Sequence, residues 1–72
     1  DLVRTNLAGV DLTESSLDWT NLFGANLTGT NLVGADFSGA NLSEADLTRA
    51  ILTDTIFCKT TMPDGVIDNS GC

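Results

Sequence analysis

The feature that most restricts this chain is a period of five. Counting from Leu2 in steps of five gives Leu2, Leu7, Leu12, Leu17, Leu22, Leu27, Leu32, Phe37, Leu42, Leu47, Leu52 and Phe57, and these positions hold every leucine in the sequence. Random placement of ten leucines in one of five registers has odds on the order of one in a million, so the repeat is a designed periodicity. Neither ordinary element accommodates it. An α-helix turns roughly 100° per residue, so a five-residue step scatters the apolar side chains around the cylinder. In a strand an odd step sends successive apolar residues to opposite faces. The period is satisfied by a chain that changes direction once per repeat and winds around a common axis, which is a solenoid.

The flanking positions are equally biased. Asn or Asp precedes the central residue in nine of the twelve repeats. Two positions before it stand small residues, among them Ala25, Ala35, Ala40, Ala45, Ala50, Thr5, Ser15, Thr20, Thr30 and Thr55, with Val10 the largest. Small residues there predict a second inward position at a crowded corner. Gly9, Gly24, Gly29, Gly34 and Gly39 all fall two after the centre, where a tight turn tolerates or requires unusual backbone angles.

The run AN-L-TG, TN-L-VG, AD-F-SG, AN-L-SE, AD-L-TR resembles the pentapeptide-repeat family, whose motif is a small residue, Asp or Asn, Leu or Phe, then two variable positions. The resemblance covers residues 1 to about 60 in twelve consecutive matches. It implies the fold: an all-β solenoid, a right-handed four-sided (quadrilateral) parallel β-helix with four pentapeptides per coil. Residues twenty apart then stack into inward columns Leu2/Leu22/Leu42, Leu7/Leu27/Leu47, Leu12/Leu32/Leu52 and Leu17/Phe37/Phe57. About three coils at roughly 4.8 Å spacing make a rod roughly 15 Å tall.

The expected organisation is a β-helix over 1–60 and a C-terminal capping tail over 61–72. Ile51 and Ile56 occupy positions that elsewhere carry Asn or Asp, and the tail is expected to cover them. Pro63-Asp64-Gly65 is a turn signal, and Val66 with Ile67 would supply apolar surface after the reversal. An open solenoid end exposes leucines and unpaired backbone, so a cap is physically expected. The TTMPDG…NSGC ending resembles the tails of cyanobacterial and chloroplast-lumen members of the family. No apolar run approaches the eighteen or so residues of a helical membrane span, and no signal-peptide pattern is present. The chain begins inside a repeat and without Met, so it is expected to be a processed or excised piece of a longer protein.

Cys58 and Cys72 are the only cysteines. A disulfide between them would close a loop of about fifteen residues and add roughly 3 kcal/mol by restricting the unfolded chain. The alternatives are two reduced thiols in a cytosolic protein and a redox-active pair, the latter lacking a Cys-x-x-Cys spacing. An oxidised pair, with the tail resemblance, points to a thylakoid lumen or a periplasm; the alternative is the cytoplasm.

Enzymatic chemistry has little to work with. There is no histidine, the commonest general base and zinc ligand, and two cysteines alone do not make a structural zinc site. Asp11 with Glu14, and Glu44 with Asp46, are close in sequence, but on this fold they read as solvated charge on a smooth wall without a cleft. Asn26-Leu27-Thr28 and Asn41-Leu42-Ser43 satisfy the glycosylation pattern as by-products of the repeat. No catalytic residue, metal site or cofactor is expected.

Two non-enzymatic readings follow. The first is a structural or protein-interaction scaffold, with Val3, Trp19, Phe23 and Val33 as a candidate apolar interaction patch among otherwise small, polar outward residues. Its partner is a protein of unknown identity, with self-association through the open N-terminal end as a further possibility. The alternative is an acidic DNA mimic that inhibits a type II topoisomerase, since the net charge is −7 and some members of the family resemble DNA in shape and charge. Against mimicry stand the short rod and mixed outward columns, with Asp11 over Asn31 and Ile51, and Asp36 between Ser16 and Ile56. Direct nucleic-acid binding is disfavoured, with only Arg4, Arg49 and Lys59 to meet phosphates. Membrane insertion is not expected.

Overall fold

A computed structural model describes residues 1–72. Parallel bridges join residues twenty apart: Asn6 to Asn26, Asp11 to Asn31, Ser16 to Asp36, Asn21 to Asn41, Asn26 to Asp46, Asn31 to Ile51, Asp36 to Ile56 and Asn41 to Thr61. With one corner every five residues, twenty residues make four sides. The walls are centred on Leu2/Leu22/Leu42 (first), Leu7/Leu27/Leu47 (second), Leu12/Leu32/Leu52 (third) and Leu17/Phe37/Phe57 (fourth), the columns that the family resemblance implies.

Each side is held the same way. The central N–H donates to the carbonyl nineteen residues on, as in Leu7 to Asn26 and Leu12 to Asn31, both 2.8 Å. The corner is closed by an N–H to carbonyl bond across four residues, as in Thr5 to Leu2 and Ala35 to Leu32. The third residue of every corner from 4 to 59 has positive φ, which is the type II arrangement. Five of these twelve positions are glycine, and seven are not: Arg4, Glu14, Trp19, Glu44, Arg49, Asp54 and Lys59.

The core is the axial column. Leu22, Leu27, Leu32, Phe37 and Leu42 are fully buried, and Ala25, Ala35, Ala40, Ala45 and Thr30 fill the second inward position. The rings of Phe37 and Phe57 lie parallel with centroids 5.8 Å apart. The Thr30 hydroxyl donates to the Leu27 carbonyl and the Thr60 hydroxyl to the Phe37 carbonyl, so no buried side-chain polar atom is left without a partner.

The tail departs from expectation in its path. The bridge from Asn41 to Thr61 continues the winding, and Met62 takes the next central place, partly buried against the core beneath Leu42. The chain then reverses at Pro63-Asp64-Gly65, where Gly65 has φ +86°, and strands β1 (Thr60–Thr61) and β2 (Ile67–Asp68) pair antiparallel. This hairpin holds the tail under the first and fourth walls. Ile51, on the third wall, is therefore 49% exposed and is not covered by the tail as expected, whereas Ile56, 38% exposed, has Gly71 of the tail beside its Cγ2 and is covered in part. Val66 and Ile67 face solvent for more than half their surface instead of supplying that cover. Leu52 is also left exposed at the open lower edge.

Candidate interaction wall and the tail disulfide

The outer surface is ordered by one local bond. At each of the nine repeats with Asn or Asp before the centre, its Oδ1 accepts the backbone N–H two residues on; Asp1 to Val3, Asn31 to Val33 and Asp36 to Ser38 are examples. This is why the position wants Asn or Asp: the short side chain saturates an N–H that the corner leaves free. At Asp11, Asp36 and Asp46 the following Thr13, Ser38 or Thr48 adds its hydroxyl, and the two donors together hold each carboxyl below its ordinary pKa. Asp68 is lowered in the same way by Ser70. These carboxylates are structural acceptors. Glu14, the neighbour of Asp11, instead lays its aliphatic stem on Gly34, and no group of three or more His, Cys, Asp or Glu is placed to hold a metal ion.

Of the four candidate patch residues, the register puts three on or beside one wall. Val3 and Phe23 stack on the first wall, with the Arg4 N–H donating to the Phe23 carbonyl at 2.8 Å. Trp19 stands at the corner that leads into this wall and is 73% exposed. Val33 belongs to the third wall, between Thr13 and Thr53, and faces away from the others.

Arg4 was not among the candidates, yet its guanidinium lies 5.6 Å from the centre of the Phe23 ring in a cation–π contact. The stem of Arg4 rests where a side chain at Gly24 would stand, with Cγ 3.2 Å from that point. The signal in the sequence is the spacing of twenty between Arg4 and Gly24. Trp19 and Gly39 repeat it, for Cε3 and Cζ3 of the indole lie 2.4 and 2.5 Å from where a Cβ at 39 would be. Trp19 also has φ +61°, a backbone conformation that bulky residues rarely adopt.

Cys58 and Cys72 form a disulfide with Cα atoms 5.0 Å apart, so the paired reading holds over the reduced one. It fastens the tail to the fourth wall beside two further ties: the Gly71 N–H donates to the Phe57 carbonyl at 2.8 Å, and the Lys59 N–H to Asn69 Oδ1 at 2.8 Å. Gly71 is required there, because a Cβ would lie 2.9 Å from the Phe57 nitrogen. Beside this closure the hairpin encloses an open depression of about 570 Å³, lined by Met62, Pro63, Asp64, Val66, Ile67 and Asp68, among others. No helix is long and apolar enough to cross a membrane.

Comparison with known proteins agrees with this architecture. The family model for pentapeptide repeats matches in eight copies, over residues 1–29 and 20–57. No curated protein matches. Among solved structures, a pentapeptide repeat protein from the Arabidopsis thaliana thylakoid lumen is 31% identical with a TM-score of 0.59, the match covering 86% of this chain and 46% of that one. The pentapeptide repeat protein Rfr23 from the cyanobacterium Cyanothece 51142 is 34% identical with a TM-score of 0.55, covering 90% of this chain and 45% of that one. The chain thus spans about half the length of these relatives. Proteins of this kind fold as right-handed quadrilateral β-helices, and with its twenty-residue register, its five-residue sides and the repeat model matched along most of its length, the chain belongs to the pentapeptide repeat family.

Proposed function

We propose that this chain is a non-enzymatic scaffold for protein interaction: a right-handed quadrilateral β-helix of about three coils with a C-terminal capping tail, working in an oxidising compartment, a thylakoid lumen or a periplasm. The observation that carries the reading is Trp19, a large aromatic held at positive φ, seated on a glycine and mostly open to solvent beside the Arg4–Phe23 pair. Every corner shares this backbone, so what sets Trp19 apart is its size, its seat on Gly39 and its exposure. Trp and Arg are also the side chains most enriched where binding energy is concentrated. The compartment is supported by the Cys58–Cys72 disulfide and by the thylakoid-lumen relative.

The test of the interaction reading is affinity capture from a native extract with the wild type and with Trp19→Ser/Phe23→Ser. Loss of specific partners from the variant is the expected result; identical partner sets would sink the proposal. The compartment is tested by a thiol count on freshly isolated, unfolded protein, where two reactive thiols would contradict an oxidising environment.

A further inference from the structure

Above the lowest coil, each repeat bonds to the coil beneath it in one way. The central N–H and the N–H two residues on donate downward, and the carbonyl two residues before the centre accepts an N–H from below. On the second and third walls, residues 25–34 show the pattern complete. Leu27, Gly29, Leu32 and Gly34 donate to the carbonyls of Asp46, Thr48, Ile51 and Thr53 at 2.8 to 3.1 Å, and the Ala25 and Thr30 carbonyls accept from Asp46 and Ile51. One coil lower the corresponding groups are bare. The N–H groups of Leu47, Arg49, Leu52 and Asp54 and the carbonyls of Ala45 and Ala50 have no partner within the chain, because the hairpin runs only under the first and fourth walls. The side chains follow the backbone: Leu27 and Leu32 are fully buried, whereas Leu47 is partly buried and Leu52 is 38% exposed.

We infer that this half-open edge, residues 45–54, binds an extended segment of a partner protein by strand addition, the segment running parallel to the edge and turning one corner with it. The site lies apart from the Trp19 wall, at the opposite end of the rod. What fits the edge is visible in the same molecule, since the matching edge of residues 25–34 is covered by residues 46–53. The edge offers two N–H groups for each carbonyl, so the occupant must turn mainly carbonyls toward it, as those residues do. It must also carry two apolar residues five apart, to lie under Leu47 and Leu52. At its corner it needs glycine, on which the stem of Arg49 can rest as that of Arg4 rests on Gly24. Glu44, Asp46 and Asp54 outnumber Arg49 along the edge, so the outward residues of the segment are neutral or basic. A second copy does not meet these terms. Its solenoid end has four sides, and Gly71 and β2 already fill the space beneath two of them.

The probe is a capped peptide of the sequence ANLTGTNLVG, the chain's own residues 25–34, titrated to about 5 mM into the ¹⁵N-labelled, oxidised chain. Saturable shifts and slowed exchange are expected at the N–H groups of Leu47, Arg49, Leu52 and Asp54, with those of Arg4 and Trp19 unmoved. Two altered peptides test the mode without touching the fold of the chain. N-methylation at Asn26 and Asn31 removes the two donors to Ala45 and Ala50, and Leu27→Ser/Leu32→Ser removes the apolar pair. Each is expected to bind roughly tenfold more weakly or worse. The inference is overturned if no saturable shift appears up to about 5 mM, if the shifts fall on the hairpin or the first wall instead, or if either altered peptide binds as well as the parent. The same four N–H groups shifting with chain concentration alone would give the edge to a second copy and overturn it equally. Capture of other proteins through Trp19 and Phe23 is independent of every one of these outcomes.

Discussion

The six-membered ring of Trp19 occupies the space that a side chain at position 39 would need. The pair is one of three in which a long corner residue folds down over a glycine twenty positions on, with Arg4 on Gly24 and Glu14 on Gly34 as the others. The glycines therefore serve two ends, the left-handed corner and a flat seat for the side chain above.

That double role separates in two substitutions. Gly29→Ala adds a Cβ in open space and is expected to lose only the left-handed backbone cost, about 1 kcal/mol. Gly39→Ala bears the same cost and also displaces the indole, so it is expected to lose more and to change the Trp19 emission, which Gly29→Ala leaves unaltered. Urea unfolding followed by dichroism, with fluorescence on the folded state, reads both.

Reducing Cys58–Cys72, or replacing both by serine, is expected to lower stability by about 3 kcal/mol for a closed loop of this size. For so small a domain that corresponds to a fall in Tm of order 10–25 °C. Amide exchange at Gly71 and Lys59, whose N–H groups tie the tail, is expected to quicken before that at Leu32 in the core.

Acid is expected to weaken the fold through Asp11, Asp36 and Asp46. Their carboxyls are held below the ordinary value in the folded chain by the hydroxyl and N–H of the residue two ahead. The stabilisation is therefore fully present above the unfolded pKa, near pH 4, and is lost as pH falls from there through the lower folded values. Replacing all three by Asn keeps the acceptor, as Asn6, Asn26 and Asn31 show, and removes the titration. Melting temperature between about pH 2 and pH 6 should fall steeply for the wild type on the acid side and less steeply for the triple variant.

Ile51 stands where nine other repeats place an N–H acceptor, and it is half exposed. Ile51→Asn is expected to be neutral or to stabilise by up to about 1 kcal/mol, by giving the Thr53 N–H the bond its counterparts have. Leu32→Ala, at a fully buried axial position one residue from Ile51 in the ladder, is expected to cost about 2–5 kcal/mol. Denaturation midpoints compare the two directly.

The axial core was legible because burial leaves no choice: Leu22, Leu27, Leu32 and Leu42 must return every five residues if each side is to contribute one. The stacking of Phe37 on Phe57 followed once twenty residues were taken as a full winding. The corners were half legible. Glycine marks five, but Arg4, Glu14, Trp19, Glu44, Arg49, Asp54 and Lys59 adopt the same sign of φ because ladder bonds on either side impose it, and propensity alone would not have placed them there. The tail was the least legible part. Apolar Val66 and Ile67 invited a covering role, whereas antiparallel pairing with Thr60–Thr61 fixed their direction and left Ile51 in water. At the candidate wall, Trp19, Phe23 and Val3 were visible as large residues among small ones, but Arg4 gains meaning only from the Gly24 that shares its corner and the Phe23 ring beside it.

The twenty-residue register gives length the meaning of an angle. Inserting one pentapeptide after residue 40 would keep every leucine on the axis, yet it would turn all that follows by a quarter circle about the rod. Lys59 would leave the column of Trp19, and Cys58 would carry the disulfide to another side. Only a change of twenty residues returns both the interior and the outward address of each side chain. Within this architecture, gains and losses of single repeats thus keep the axial pattern, take Phe57 from beneath Phe37, and re-address every outward side chain that follows.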